Sequence, residues 1–197
     1  MRKLVVTQWM SLDGVVQAPS YPDEDTSDGF AHGGWHLGYF EDRSMSWVAD
    51  NVSNAGGFLF GRRTYEAFSA YWPSASDEEQ VLAKPLNSLP KYVASATLAE
   101  PLPWRNSSLL GSDLPEAVAR LKREDGGYLL VIGSTLLVRA LLESDLVDEL
   151  RLMIDPLLLG GGKTFVPADG VSRRYRLCDC EATSSGAVLA TYARLSD

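Results

Sequence analysis

At 197 residues, with 45% hydrophobic and 22% charged side chains, the chain has the composition of a globular protein large enough to bury roughly 70% of its unfolded surface in one domain, residues 1–197. A formal net charge of −8 gives no general attraction for nucleic acid or anionic lipid, so neither is an expected partner, whereas a small molecule held by local basic residues is. No apolar run approaches the roughly 18 residues of a membrane span, and Leu4-Val5-Val6 is too short for a signal segment before Gln8 and Asp13; a cytoplasmic location is expected.

Lys3 to Met10 reads as a strand by its β-branched and apolar content, and Ser11-Leu12-Asp13-Gly14 as a turn. From Val15 to His36 the chain is rich in Pro, Asp, Ser and Gly and ends on Trp35 and His36. Loops of that length in a compact domain are usually functional, and a lid is the expected role. A helix is expected from Glu41 to about Ser53, with Met45, Val48 and Val52 on one face.

Two stretches then repeat one design. Gly57 to Phe60 is a short buried strand, followed by Gly61 and a helix opened by Arg62-Arg63-Thr64 and ended at Pro73. Tyr128 to Ile132 is a second, followed by Gly133-Ser134-Thr135 and a helix from Leu136. Between them lie a strand at Tyr92 to Ser95 and a helix opened by Asp113-Leu114-Pro115-Glu116, a cap with proline in its first turn. Strand–helix alternation of this kind implies crossover units and a largely parallel sheet. The last third differs: Glu149 to Leu159 is a long strand interrupted by Pro156, and Tyr175–Cys178 with Ala187–Tyr192 flank Ser184-Ser185-Gly186 as an antiparallel hairpin. Cys178 and Cys180, i and i+2 on a strand, read as buried small apolar residues on one face rather than half of a metal site, and no metal is expected.

Between the last two strands comes Leu157-Leu158-Leu159-Gly160-Gly161-Gly162-Lys163-Thr164, which ends like a nucleotide-binding P-loop. The loop's first glycine would fall at Leu157, and Val166-Pro167 and Asp169-Gly170 replace the helix that must follow. The glycines are therefore expected to serve positive φ or close backbone approach, with Lys163 solvated or facing another subunit. The anion sites are expected instead at the two strand–Gly–helix junctions, where free N–H groups meet the positive end of a helix dipole. Arg62 and Arg63 add charge there, unless one is solvated and the other pairs with Glu66. Asp13, beside Gly14, reads as an ordinary turn carboxylate; His36 is either a proton donor or a surface residue. Trp9, Trp35, His36, Tyr65 and Trp72 could wall a heteroaromatic ligand or belong to the core.

The blocks "GRRTYE" (Gly61–Glu66), "VASATL" (Val93–Leu98) and "VIGSTLLVRALL" (Val131–Leu142) resemble, in order and spacing, the α/β dihydrofolate reductase fold. That fold has three layers, a mixed, mostly parallel central sheet flanked by helices, with a C-terminal antiparallel hairpin. "SLDG" (Ser11–Gly14), "DELRL" (Asp148–Leu152) and "PLLLGGGKTF" (Pro156–Phe165) are similar to one branch of it, the reductase domain of the riboflavin-biosynthesis deaminase-reductase and its stand-alone relatives. The deaminase's zinc signature does not occur in the sequence. The resemblance implies NADPH as cofactor, a heterocyclic substrate and a homodimer. It places Arg62, Arg63 and Thr64, beside Gly61, on the 2′-phosphate and pyrophosphate, and Ser95, Ala96 and Thr97 around the adenosine. Gly133, Ser134, Thr135 and Leu136 would receive the pyrophosphate on the second helix, and Thr7, Gly14 and Val16 would lie beside the nicotinamide. A cis peptide is common after the first of these glycines in the family. The substrate side would draw on Asp13, also the candidate proton donor, with Trp35, His36, Asp42 and Tyr65. The carboxylate that binds pterin in folate reductases falls near Ser44, which argues against dihydrofolate. A binding protein without turnover is the alternative.

Overall fold

The computed structural model describes residues 1–195 and has an eight-stranded mixed sheet. The elements in chain order are β1 (Leu4–Ser11), α1 (Asp42–Ser53), β2 (Gly57–Gly61), α2 (Arg62–Tyr71), α3 (Gln80–Ser88), β3 (Lys91–Ala94), β4 (Ser107–Leu109), α4 (Leu114–Arg123), β5 (Leu129–Ile132), α5 (Thr135–Glu143), β6 (Glu149–Asp155), β7 (Tyr175–Ala182) and β8 (Val188–Arg194). The strand order is β4-β3-β2-β5-β1-β6-β8-β7. Pairings from β4 through β6 are parallel, and β8 runs antiparallel to both β6 and β7.

The parallel strands are apolar on both faces because helices cover both. Leu4, Val6, Leu59, Leu129 and Val131 pack against Val118 and Leu121 of α4 and Leu137 and Leu141 of α5. Val5, Phe58, Phe60 and Leu130 pack the opposite way, against Val52 of α1, Tyr65 of α2 and Leu86 of α3. Each fully buried aliphatic or aromatic side chain in these clusters contributes ~1.5–3 kcal/mol. Local chemistry sets the ends. The Asp113 carboxylate accepts the Glu116 N–H (3.0 Å) to open α4, whose last turn carries Arg120, Lys122 and Arg123 at the negative end of its dipole. β6 stops at Asp155, before Pro156.

Two features depart from expectation. α3 and β4 were not legible: α3 carries Pro85 inside it, and β4 is three residues long. Cys178 and Cys180 are exposed, not buried. β7 is the sheet's outer strand, and all its residues but half-buried Tyr175 are exposed. A register shift between Leu177 and Asp179 also breaks the alternation that would align the two thiols. No helix among the described residues is long and apolar enough to cross a membrane.

Candidate functional site

The parallel strands deliver the two strand–Gly–helix junctions to one edge of the sheet, β2 into α2 and β5 into α5, with β5 paired to β2. There they are tied together. The Gly61 N–H donates to Ser134 Oγ (2.9 Å), and the Ser134 hydroxyl donates to Thr64 Oγ1 (2.8 Å). A side chain at Gly61 would crowd this bridge, since its Cβ would lie 3.2 Å from Ser134 Oγ and 3.3 Å from Ser134 Cβ. Gly133 (φ 59°) and Ser134 (φ 61°) both take the left-handed conformation, which turns the chain from β5 into α5. The cis bond of the described chain is Glu100–Pro101, so Gly133–Ser134 is trans. Gln8 Nε2 holds the Gly133 carbonyl (2.9 Å), and the Gly133 N–H reaches the Thr7 carbonyl (3.4 Å).

Neither Gly61 nor Ser134 makes a side-chain cap bond to its helix, so the first N–H groups of α2 and α5 keep their donors facing the edge. Arg62 forms an exposed i, i+4 pair with Glu66 (3.1 Å), and Arg63, 75% exposed, lies 3.7 Å from Asp25. Such pairs are worth ~0–1 kcal/mol and exchange readily for a better anion. One strand over, Ser95 Oγ accepts the N–H groups of Thr97 (3.1 Å) and Leu98 (3.0 Å), setting the turn after β3 beside exposed Ala96. Leu136 is 76% exposed on the first turn of α5, next to Thr135.

The loop after β1 is clasped to the loop after β6. Asp13 accepts the Ser11 hydroxyl (2.6 Å) and the N–H groups of Leu159 (3.2 Å) and Gly160 (2.8 Å). The Ser11 hydroxyl and then the Gly160 N–H hold its carboxyl below the usual range. Its oxygens are taken up in closing the turn, as an ordinary turn carboxylate's would be. Gln17 Oε1 accepts the Lys163 N–H (3.0 Å), and the Val16 N–H donates to the Lys163 carbonyl (2.9 Å). Lys163 is neither solvated nor free for another subunit: its Nζ binds Asp25 (2.7 Å) and the Ser27 hydroxyl. Burial pushes the Asp25 carboxyl up, but bonds from Lys163 and Ser27 outweigh this and hold it at about 2. An open cleft of about 550 Å³ lies between Ser27–His32 and Leu159–Lys163, completed by Gln17 and Arg139.

Several expected ligand walls are instead core. Tyr65 is 1% exposed and its hydroxyl accepts the Trp104 N–H (3.1 Å). Val16 packs among the α4–α5 side of the core, whereas Thr7 is half-buried and Gly14 (φ 83°) sits in the turn after β1. Trp35 is buried, its indole N–H donating to the Gln17 carbonyl (2.8 Å). Asp42 is exposed at the start of α1. His36 is neither a surface residue nor open to a ligand: it is buried, with Nδ1 2.7 Å from Asp155 Oδ2 and its ring stacked on Trp9 at 4.3 Å. Burial raises the Asp155 carboxyl, and the His36 bond offsets this in part. Asp155, Gln8, Gln17 and Asp25 were missed in the sequence. The available signal was a polar residue at an apolar strand position for Gln8 and Asp155; nothing marked the two loop residues.

Residues 2–189 match the sequence profile of the RibD C-terminal domain. The chain belongs to the RibD C-terminal domain family. This membership supports an oxidoreductase of the reductase type found in riboflavin biosynthesis. The chain is 30% identical over 146 residues to the uncharacterized protein YyaP of Bacillus subtilis (strain 168), covering 73% of this chain and 76% of that one. Among solved structures, it is similar to one from Shewanella sp. PV-4 described as a candidate riboflavin biosynthesis protein, with a TM-score of 0.72 and 21% identity over 98% of this chain and 99% of that one. A pyrimidine reductase-like protein of Corynebacterium diphtheriae matches with a TM-score of 0.64 and 12% identity, covering 100% and 93%. RibD of Acinetobacter baumannii matches with a TM-score of 0.60 and 16% identity, covering 100% of this chain and 59% of that one. At these identities the structural matches speak for the RibD-like fold.

Proposed function

We propose that this chain is an NADPH-dependent reductase that delivers hydride to a C=N or C=O of a small heterocycle, of the pterin or riboflavin-precursor kind. A 5-amino-6-(5-phosphoribosylamino)uracil reductase-type activity falls within that class. The observation that carries the reading is the pair of helix N-termini without side-chain caps, brought to one edge and joined through Ser134 Oγ. Two such termini side by side suit a pyrophosphate, because each supplies unspent N–H donors and half a positive charge. The arms of Arg62 and Arg63, with Thr64, would hold the 2′-phosphate; Ser95, Ala96 and Thr97 would flank the adenosine; Gly133 to Leu136 would take the pyrophosphate. Thr7 and Gly14 would border the nicotinamide, which supplies the hydride when bound. The protein's part is orientation and exclusion of water under the loop that ends at Trp35.

A second reading, a nucleotide-binding protein without turnover, draws on one observation: Asp13 is ionised and fully engaged. One titration separates the two. NADPH is added to the protein, and its nicotinamide absorbance is then followed with pterins, flavin precursors and quinones. Oxidation with at least one of these supports the reductase; tight binding with no oxidation across the panel supports the second reading; no NADPH binding sinks both. Arg62→Ala/Arg63→Ala should weaken NADPH roughly 10- to 100-fold and NADH much less, since charge-assisted bonds to the 2′-phosphate are worth ~1.5–3 kcal/mol. For the homodimer, the bare β7 edge is the surface best suited to a second copy. A sedimentation mass of one chain would exclude it.

A further inference from the structure

Resting on the reductase reading, we propose that the buried His36–Asp155 pair supplies the proton that accompanies hydride transfer. Asp13, the expected donor, is engaged in its own turn, which leaves water or another protein group to supply the proton. The pair has the missing chemistry and an unspent valence. His36 is 1% exposed and Asp155 0%, and they share a 2.7 Å bond through Nδ1 and Oδ2. Their other polar atoms, His36 Nε2 and Asp155 Oδ1, are buried without a partner. A fold keeps such atoms at a cost, and functional use is one reason to bear it.

The position also fits. Asp155 ends β6 and is paired with Ser11 at the carboxyl end of β1, four residues beyond Thr7, which lies level with the end of β5 before Gly133. The His36 ring lies flat on Trp9, 4.3 Å away and 15° from parallel, and Trp9 shares a strand face with Thr7, two residues earlier. The groups packed on the ring are Trp9 from β1, Asp155 from β6, and Trp35 and Phe40 from its own segment. Asp155 is the ionisable one among them. A carboxylate at Oδ2 can accept an Nδ1–H, which leaves Nε2 as the ring position that exchanges a proton with a ligand. The ring is closed off beneath its own segment and against Trp9, so delivery needs the Trp35–Phe40 segment to lift. The substrate carbon gains the hydride and its two electrons; the nitrogen or oxygen of the same double bond takes the proton from Nε2; the imidazole left behind is reprotonated by solvent.

Two measurements test this. In the first, ¹⁵N-histidine spectra of the cofactor-free protein are followed from pH 5 to 9, with and without 5-aminouracil as a substrate-like probe. The His36 Nε2 signal is expected to titrate and to shift with the probe. A signal that does neither marks a purely structural clasp and overturns the proposal, whether or not the protein turns out to be a reductase. In the second, single-turnover NADPH oxidation is compared in wild type, His36→Phe and Asp155→Asn. His36→Phe should slow the step roughly 10²- to 10³-fold and flatten its pH profile, with partial rescue by added imidazole and NADPH affinity within about twofold of wild type. Asp155→Asn should move the alkaline limb to lower pH. Wild-type rates in His36→Phe would refute the assignment while leaving the reductase intact; if that variant does not fold, the Asp155→Asn profile and the wild-type spectra decide.

Discussion

Two kinds of glycine turn stand at the same edge of the sheet and put their backbones to opposite uses. At the Gly61 and Gly133 junctions a helix follows at once, no side chain caps it, and the N–H donors stay available. At Gly160–Gly162 no helix follows to align the donors, and neighbours take those at either end: Gly160 N–H goes to Asp13 and Lys163 N–H to Gln17. The second turn looks more like a phosphate loop on paper and is the worse anion seat. A glycine tract binds phosphate where its donors are aligned by a helix and left unspent, and composition reports neither condition.

Substitution of the glycines breaks the comparison most directly. Gly162 has φ 136°, and a Cβ there would come within 2.6 Å of Val15 Cγ1 and 3.0 Å of the Phe30 ring. Gly162→Ala should therefore cost roughly 2–4 kcal/mol in urea unfolding, from strain and crowding together, with little change in NADPH affinity per folded molecule. Gly61 sits at φ −77°, open to any residue. Gly61→Ala should cost under about 1 kcal/mol yet weaken NADPH, because the added Cβ presses on Ser134. Equal stability losses in the two variants would erase the distinction between a structural turn and a binding turn.

What the sequence revealed divides along a similar line. All strands but β4, the Asp113 cap and the two junctions were legible because each depends on residues a few positions apart, although the strand expected over Glu149–Leu159 ends at Asp155. The clasp was not. Lys163 meets Asp25 across 138 positions, and His36 meets Asp155 across 119. Apart from the apolar strand position of Asp155, no local signal distinguishes these side chains from solvated ones. The cysteines failed for a related reason: alternation places two residues on one face, but strand order decides whether anything covers that face. Resemblance supplied the proposed roles at Arg62 to Thr64, whereas the bridge that joins the two junctions through Ser134 needed the third dimension.

The Asp25 latch gives the next largest effect and a pH signature. Its folded carboxyl lies at about 2 against an ordinary 3.8, so the folded state favours the ionised form. The associated stability is fully present above pH 3.8 and is lost as pH falls through about 2. Wild type should exceed Asp25→Asn by roughly 2 kcal/mol at pH 6, with the gap closing steadily below pH 4 in thermal or urea melts. A gap that stays constant down to pH 2 would mean that Lys163 is held by something other than charge.

The smallest effects come from the bridge itself, and here two variants are more informative than one. Ser134→Ala removes the acceptor for Gly61 N–H and the donor to Thr64 while keeping a Cβ at φ 61°, so it should cost roughly 1 kcal/mol. Ser134→Gly removes the same bonds but relieves a left-handed conformation that costs ~1–2 kcal/mol in other residues, so its stability should stay near wild type. If the hydroxyl serves to hold the two helix N-termini in register, both variants should weaken NADPH by a similar few-fold despite their different stabilities. Binding that instead tracks stability, with Ser134→Gly unimpaired, would show that the turn's conformation, not its hydrogen bonds, aligns the seat.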